Sequence, residues 1–466
     1  MRRAVKSPHL LRAGLTMLAL CFGASVATVA RAQKLREPGV LTGGGPSTPR
    51  DPRVTDPWLP TGAEIGAIPD RPGSRHRACS THRPVCVHFD EAGRSQAPAA
   101  LIALETAWSQ LVLVLGLPAP LPDQGRGGTD ALDAYLEPSG DSVHVQHEGP
   151  DTSRFDRASG FCTLGVRSAA TIARVATLCV AEAIALRLDP AATPHIRRAY
   201  ANHLWWIVGT PTHQDLEAID DLQSNPQLGI ATRDRSAYSD ASALWFEYLD
   251  RTLGRDSPGA LATAMLAQSV AKTPPTSLSW DNEPDVFDVL RSSFDGKHRR
   301  IAELFTAMAV ARAFLGARDD GTYWPELAHT GDFGRVRFDW TFGYSTLPRR
   351  VALRRPLEPT GSVYVWLTLD KVPEAATLGF QAEWEAPATF AWSLVRIDQD
   401  GREAGRINAP FVERGQKVEQ NLVGLEGLSA ILVVGVNLGG VDLEHPFDPD
   451  VAPHEPHGCT IYLAAL

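Results

Sequence analysis

Cysteine and histidine, the side chains that most often bind zinc, form one group near the beginning of this sequence and another near its end. Near the beginning, Cys79, His82, Cys86 and His88 form a cluster that could hold zinc. No second cysteine or histidine cluster lies close in sequence to complete a tetrahedral structural site. We therefore favour a disulfide between Cys79 and Cys86, which would close a small loop, over a metal site.

A second group of donor atoms lies near the C-terminus, in the run His445-Pro-Phe-Asp-Pro-Asp450 and the residues that follow it. The side chains that could bind a metal there are Asp448, Asp450, His454, His457 and Cys459. The prolines and the position beside a predicted strand favour an ordered surface loop over a metal site. We expect no bound metal and keep these five side chains as the metal candidates.

Several common catalytic motifs are absent from the sequence. There is no G-x-G-x-x-G after a strand, no G-x-x-x-x-G-K-[ST] and no G-x-S-x-G, so phosphate-cradling loops and that type of serine hydrolase are excluded. Trp205 and Trp206 could stack on sugars or bases, but an apolar helix around them favours a place in the core. His195 and His203 are two helical turns apart, too far to share a metal directly.

The first thirty-two residues have the pattern of an export signal. Arg2, Arg3 and Lys6 belong to a basic start, Ala13–Ala30 is apolar, and Ala30-Arg31-Ala32 fits a cleavage site, so the mature chain should begin at Gln33. An uncleaved anchor helix is the alternative. The chain carries a formal charge of −9, and removal of the basic signal makes it more acidic. That charge argues against a nucleic-acid partner.

Composition divides the rest of the chain into three parts. Residues 33–75 are rich in Pro and Gly without periodicity, which predicts a disordered tether. Residues 76–320 combine strands at Val85–Phe89, 131–136 and 142–146 with helices at Pro98–Leu115, 169–188, from Pro194, and at 213–222, 239–253, 259–270, 284–292 and 298–315. Residues 321–466 have the period-two pattern of an all-β module, most simply a sandwich, with strands predicted at 336–340, 363–367, 390–396, 431–436 and 460–463. We expect no transmembrane segment after signal cleavage.

The segment from Ala169 to Leu188 carries apolar residues on nearly every face, which predicts a core helix. Cys162 ends a short apolar segment just before this helix, and Cys179 lies inside it. In an exported protein these two cysteines could form a second disulfide that ties the helix to the preceding strand. Cys459 is then left without a partner.

The order of these elements resembles a family of exported zinc metallopeptidases of the gluzincin type, found in myxobacteria and their relatives. The resemblance covers most of residues 85–466, with motifs of moderate specificity. The segments that carry it are Leu104-Glu105, Leu115–Asp123, Gly127–Asp130, Leu132–Leu136, Phe161-Cys162, the core helix, Tyr238–Leu249, Gly254, Phe305–Gly316 and Gly401-Arg402-Glu403.

The resemblance implies an α+β protein in which a mainly helical metallopeptidase-like domain precedes a C-terminal β-sandwich. In this family the core helix carries H-E-x-x-H, in which two imidazoles bind zinc and the glutamate activates water. The matching residues here are Ala181, Glu182 and Ala185, and the third ligand position falls at or near Arg198. Methyl groups donate no lone pair to zinc. The resemblance therefore implies a pseudopeptidase with no catalytic residues and no cofactor.

A buried Glu182 needs a partner, because an unpaired buried carboxylate is costly. We expect an ion pair with Arg198, with Arg174 as the second candidate. A Glu182 side chain that points to solvent is the alternative.

Two other functions stay open. In an active zinc peptidase with displaced ligands, His195, His203, His213 or Cys179 would have to converge with Glu182. In a plain secreted binding protein, the sandwich would recognise the ligand. Whether the protein is a pseudopeptidase or a plain binding protein, the expected ligand is an unknown peptide, protein or glycan. The expected location is the periplasm, the outer envelope or the extracellular space.

Overall fold

The structure is a computed structural model. It describes residues 68–466 except 138–139, 141, 152–156, 167, 231–235, 255–256, 270–279, 281–283, 295–297, 320, 325–326, 328–334, 414 and 440–454. The predicted signal peptide (1–32) and residues 33–67 of the predicted tether lie outside the described residues, and so do Asp448, Asp450 and His454. The described residues all belong to one compact unit of the chain, and the fold is of the α+β class.

A mixed five-stranded sheet forms the N-terminal layer. Its strands are β1 (His76–Cys79), β2 (Val85–Phe89), β3 (Leu132–Glu137), β4 (Val143–Pro150) and β5 (Ala158–Gly165). In space they follow the order β1-β2-β3-β5-β4, with β2, β3 and β5 parallel and both edge strands antiparallel to their neighbours. The strand that lies beside the helices of the candidate site, β4, is therefore an edge strand.

Helices cover this sheet and fill the middle of the chain. They are α1 (Ala97–Trp108), α2 (Ala169–Leu188), α3 (Pro194–Val208), α4 (His213–Ser224), α5 (Ser236–Ala241), α6 (Ala243–Leu253), α7 (Ala260–Gln268), α8 (Val286–Ser293) and α9 (His298–Ala313). The prediction for α2 is confirmed at both ends. The single helix predicted over 239–253 is wrong, because the chain forms two helices that meet at Ser242.

Helix α1 continues directly into a π-helix over Ser109–Val114. By length and mean hydropathy, 1.5, the combined stretch Ala97–Val114 could cross a membrane, a property that core helices of soluble proteins share. Leu104 and Leu111 on one side are fully buried, whereas Leu113 and Val114 are exposed. This stretch therefore contributes one face to the protein core.

Both predicted disulfides are confirmed. Cys79 and Cys86 join β1 to β2, and Cys162 and Cys179 join β5 to α2 with a Cα separation of 5.8 Å. The N-terminal cysteines are therefore not zinc ligands. Cys459 is free and buried, and burial raises the pKa of its thiol. Two disulfides are typical of exported proteins.

The C-terminal part is a β-sandwich. Its strands are β6 (Trp340–Gly343), β7 (Arg349–Ala352), β8 (Ser362–Thr368), β9 (Leu378–Trp384), β10 (Phe390–Ile397), β11 (Glu403–Asn408), β12 (Lys417–Leu422), β13 (Ala430–Asn437) and β14 (Cys459–Ala465). One sheet has the order β11-β10-β13-β8-β6 and the other β12-β9-β14-β7. The strand predicted at 336–340 is wrong. The chain becomes a strand only at Trp340, after Phe338 has stacked on Trp366.

Strands β8, β10 and β13 are buried on both faces. One face packs against the second sheet, with Phe380, Trp392 and Ile461 among the contacts. The other face packs against the helices, where Val434 and Leu432 share one hydrophobic core with α9. The sandwich and the helices of the described unit are therefore joined by apolar contacts.

Candidate functional site

A groove of about 660 Å³ lies between the edge strand β4 and the four helices α2, α3, α4 and α5. Its lining residues are Ser142, Val143, His144, Val145, Gln146, Glu182, Pro194, Arg197, Arg198, Gln214, Glu217, Ala218 and Asp240. We call it the β4 groove. It contains two of the four residues that the resemblance placed at the former metal site.

Glu182 is the residue through which the core helix reaches the groove. Every residue from Arg174 to Leu186 is buried except Glu182, whose side chain is 12% exposed. Its Oε1 accepts a hydrogen bond from Arg198 Nη1 at 2.8 Å. The predicted Glu182–Arg198 ion pair is confirmed, and the alternative of a side chain pointing to solvent is wrong.

Arg198 joins Glu182 to a second carboxylate. Its Nε donates to Asp240 Oδ1 at 2.6 Å, and Asn202 donates to the same oxygen at 3.0 Å. Burial of the guanidinium by itself would lower its pKa, but Asp240 and Glu182 together raise the pKa of Arg198. Arg198 therefore stays protonated and bridges helices α2, α3 and α5.

Arg174 lies deeper and contacts carboxylates other than Glu182. Its Nη2 donates to Asp240 Oδ2 at 2.7 Å and its Nε donates to Asp215 Oδ1 at 2.8 Å. Burial opposes the charge of Asp215, yet Arg174 and Thr212 hold its pKa below the usual value. Asp215 also accepts from Trp205 Nε1. Arg174, the second candidate partner of Glu182, therefore pairs with Asp240 and Asp215 among the described contacts.

The residues at the ligand positions that the resemblance implies do not fit zinc. Ala181 and Ala185 are fully buried, and the groove lining does not include them. Neither side chain has a lone pair, and Arg198 at the third position is cationic. The groove thus presents arginine–carboxylate pairs where the resemblance would place a metal, and no step of zinc chemistry can be derived from these residues.

The side chains that a working hydrolase would need have described partners other than Glu182. His195 contacts Ser239 and Ser242, and burial lowers its pKa to about 4. His203 pairs with Asp250 at 2.6 Å.

The remaining two candidates are also engaged elsewhere. His213 pairs with Glu217 at the surface, and Cys179 is in a disulfide. The described contacts of these four candidates therefore bring none of them to Glu182.

The C-terminal metal candidates are only partly within the described residues. Asp448, Asp450 and His454 lie outside them. His457 forms a backbone bridge with Leu357, and Cys459 begins β14. Within the part of the chain that the structure describes, no group of three or more His, Cys, Asp or Glu side chains could hold a metal ion.

Within the part of the chain that the structure describes, β4 lies at an edge of its sheet, a feature of the groove that the sequence did not predict. Gly165 donates its N–H to the carbonyl of Ser142. Ser142 is therefore a hydrogen-bonded position of the antiparallel ladder with β5, and Val143, opposite Leu164, is a non-bonded one. Because bonding residues alternate in such a ladder, the N–H and C=O groups of Val143 and Val145 point away from β5, and both residues line the groove. Position at a sheet edge has no signal in the local sequence.

Asp240 was missed as well. Only its place in the run Tyr238-Ser-Asp240, part of the resemblance, could have pointed to it.

No family model matches this chain, and no curated protein matches it. Among solved structures, 11% identity links it to the pre-peptidase C-terminal domain of a Bacillus anthracis collagenase, covering 28% of this chain and 97% of that one, with a TM-score of 0.17. Tailspike protein 4 of bacteriophage CBA120 is 14% identical to this chain. That likeness covers 26% of this chain and 17% of the tailspike chain, with a TM-score of 0.16. VP2 of the infectious bursal disease virus subviral particle is 12% identical to this chain. That likeness covers 25% of this chain and 37% of the VP2 chain, with a TM-score of 0.16. Likenesses this weak carry no argument.

Proposed function

We propose that this is an exported binding protein built on a metallopeptidase-like scaffold without metal chemistry, and that the β4 groove binds an extended segment of a polypeptide. The single observation that carries the proposal is the outward-facing backbone of Val143 and Val145 along the groove. An extended peptide adds as a strand to such an edge, with backbone hydrogen bonds that supply affinity. The proposed location is the periplasm, the outer envelope or the extracellular space.

Charge in the groove supports a polypeptide over a nucleic acid or a purely apolar ligand. Arg197 and Arg198 line it together with Glu182, Glu217 and Asp240, so both signs are present. Arg198, Glu182 and Asp240 are already paired with each other. Such a lining suits the polar backbone and mixed side chains of a peptide, whereas a phosphate backbone requires a predominantly basic surface.

A matched pair of variants tests strand addition. Val145→Pro removes the outward N–H, whereas Val145→Ala keeps it and shortens the same side chain; proline is tolerated on an edge strand whose N–H faces away from the sheet. The probe is a library of short unstructured peptides that carry a benzophenone amino acid. Crosslinks should map to residues 142–146 and to α3 in the parent protein and in Val145→Ala, and should be lost in Val145→Pro. Crosslinks confined to the sandwich would contradict the proposal and favour the plain secreted binding protein.

Metal content tests the other half of the proposal. The chain from Gln33 to Leu466, purified without a histidine tag and dialysed against trace zinc, should retain far less than one zinc per chain. One tightly held zinc that is released when His195, His203 or Cys179 is replaced would establish the active peptidase with displaced ligands. Loss of zinc on replacement of His454 or His457 would instead locate a structural site in the β module.

A further inference from the structure

A second built site lies on the five-stranded sheet, and none of its residues lines the β4 groove. Arg71 inserts its guanidinium among three carboxylates, those of Asp123, Asp133 and Glu148. Its Nε donates to Glu148 Oε1 at 2.7 Å. The three carboxylate side chains are at most 2% exposed, so this is an enclosed pocket with a cation seated in it.

The carboxylates are held by elements that do not depend on Arg71. Asp133 belongs to the central strand β3 and Glu148 to β4. Asp123 lies in a loop, where it accepts hydrogen bonds from the backbone N–H groups of Gly125 and Gly127. Asp133 also contacts Nε2 of a buried histidine, His88, at 2.8 Å. The pocket walls are therefore positioned before any guanidinium enters.

The shape of the pocket fits a planar cation. The Arg71 guanidinium lies over the ring of Phe161, with Cζ 5.4 Å from the ring centroid, and Tyr135 OH lies 3.4 Å from Nη1. Stacking on an aromatic face distinguishes arginine from lysine. Gly127 closes another side, where a Cβ atom would overlap Asp133 and Nη1 of Arg71.

The segment that carries Arg71 is attached to the protein mainly through this side chain. Residues 68–74 form no helix or strand, and between described residues no backbone–backbone hydrogen bond connects them to the sheet. Ser74 contacts His88, and Ile68 is half exposed. The part of the predicted tether that the structure describes is thus held to the sheet by an arginine in a pocket, not free of it.

We propose that Asp123, Asp133, Glu148, Tyr135 and Phe161 form an arginine-binding pocket that the chain fills with its own Arg71, and that an arginine side chain of another polypeptide binds there when residues 68–74 leave. The guanidinium supplies in-plane donors to the carboxylates and a flat face to Phe161. Arg71 is therefore an exchangeable internal ligand, and the pocket is a second point at which a partner polypeptide can be held.

The test uses the full mature chain with Arg71→Ala and an acetylated peptide of the sequence Asp-Arg-Pro-Gly-Ser, which copies residues 70–74. Calorimetry should show saturable binding to Arg71→Ala that is at least about tenfold tighter than to the parent protein, because Arg71 occupies the parent's pocket. The matched peptide Asp-Lys-Pro-Gly-Ser should bind at least about tenfold more weakly, because lysine lacks the planar fork. Equal binding of the two peptides, or no binding to Arg71→Ala, would overturn the proposal.

Two further variants keep the test decisive. Arg71→Ala combined with Gly127→Ala leaves the charges unchanged and closes the pocket, so it should not bind the arginine peptide. Arg71→Ala combined with Asp123→Asn serves if Arg71→Ala alone does not fold, because it has one uncompensated buried carboxylate fewer. It should still bind through Asp133 and Glu148, and failure to do so in folded protein would count against the pocket.

Discussion

Arg198 is the residue on which the ion pairs of the β4 groove depend. It contacts Glu182 and Asp240, and its side chain is only 17% exposed. We expect Arg198→Met to lower the free energy of unfolding by about 3 kcal/mol, because the largely buried Glu182 loses its cation and Asp240 keeps only Arg174. Glu182→Gln in the same chain should restore part of that loss. Urea denaturation of the two single variants and the double variant measures both effects.

Arg299 provides the control for that series. Its pair with Glu303 is exposed, with side chains 79% and 47% accessible, and exposed pairs contribute little. Arg299→Met should therefore leave the unfolding midpoint nearly unchanged. A loss for Arg198→Met no larger than for Arg299→Met would show that the groove network does not stabilise the fold.

Two buried groups near the α2–α3 junction have opposite effects on the pH dependence of stability. Burial lowers the pKa of His195 to about 4 and raises the pKa of Asp189 to about 6. The unfolded chain takes up a proton at His195 below pH about 6.5, so this group adds stability as pH rises from about 4 to 6.5. The folded chain keeps the proton on Asp189, so this group removes stability as pH rises from about 4 to 6. Over its pH range, each group changes the free energy of unfolding by about 3 kcal/mol.

Substitution of either group should expose the effect of the other. From pH 4 to 6, the free energy of unfolding of Asp189→Asn should rise more steeply than that of the parent, and that of His195→Gln less steeply. Urea titrations at pH 4, 5 and 6 give the slopes. Parallel slopes in all three proteins would mean that these two groups titrate alike in the folded and unfolded states.

At the scale of elements, the two disulfides differ in access to solvent. Cys79 lies at an exposed position of β1, whereas Cys162 and Cys179 are both fully buried between β5 and α2. We expect a thiol reductant to open Cys79–Cys86 in the native protein and to leave Cys162–Cys179 intact, because thiolate attack requires access to sulfur. Alkylation followed by mass spectrometry identifies the reduced pair.

The same treatment in urea should reduce both disulfides, which controls for reagent strength. Reduction of both pairs at one rate without denaturant would contradict the burial of the β5–α2 disulfide. Replacement of Cys162 and Cys179 together by alanine should cost about 3 kcal/mol, from the loop of 17 residues that the bond closes.

At the scale of the whole molecule, the helices and the sandwich of the described unit share one core. Tyr364 of β8 donates its hydroxyl to the carbonyl of Ala309 in α9 at 2.8 Å. Arg312 and Gln223 exchange hydrogen bonds behind it. The chain is divided by sequence composition near residue 320, but the apolar contacts cross that point. Stability of one part should therefore depend on the other.

We expect a single cooperative thermal transition for the two parts, observed equally by far-ultraviolet circular dichroism and by tryptophan fluorescence. Val434→Asp, on the helix-facing side of β13, should lower the midpoint of that single transition, because a charge would be buried without a partner. Lys417→Asp, at an exposed position of β12, is the control and should leave the midpoint nearly unchanged. Two separate transitions in the parent would show that the parts unfold independently.

The sequence by itself determined the elements whose signals are local. The apolar run of 169–188 predicted α2, and β-branched residues predicted strands β8, β10 and β13. The spacing of Cys79 and Cys86 favoured the first disulfide, and the places of Cys162 and Cys179 in a strand and the next helix suggested the second. The Glu182–Arg198 pair was predictable because a buried carboxylate requires a nearby cation. The strands β7, β11 and β12 were not predicted, because their polar and glycine residues give little hydrophobic pattern. Strand β9 was missed although its apolar residues alternate with glycine or polar residues in the period-two pattern of a strand.

Only the tertiary structure decided which distant groups meet. Asp240 reaches Arg174 and Arg198 across three helices, and Arg71 reaches carboxylates 52 to 77 residues away in sequence. The edge position of β4 also follows from sheet order, not from the residues of β4. The physical reason is the same in each case. Helix and strand periods depend on neighbours a few residues apart, whereas ion pairs and sheet edges depend on contacts that form only when the chain packs.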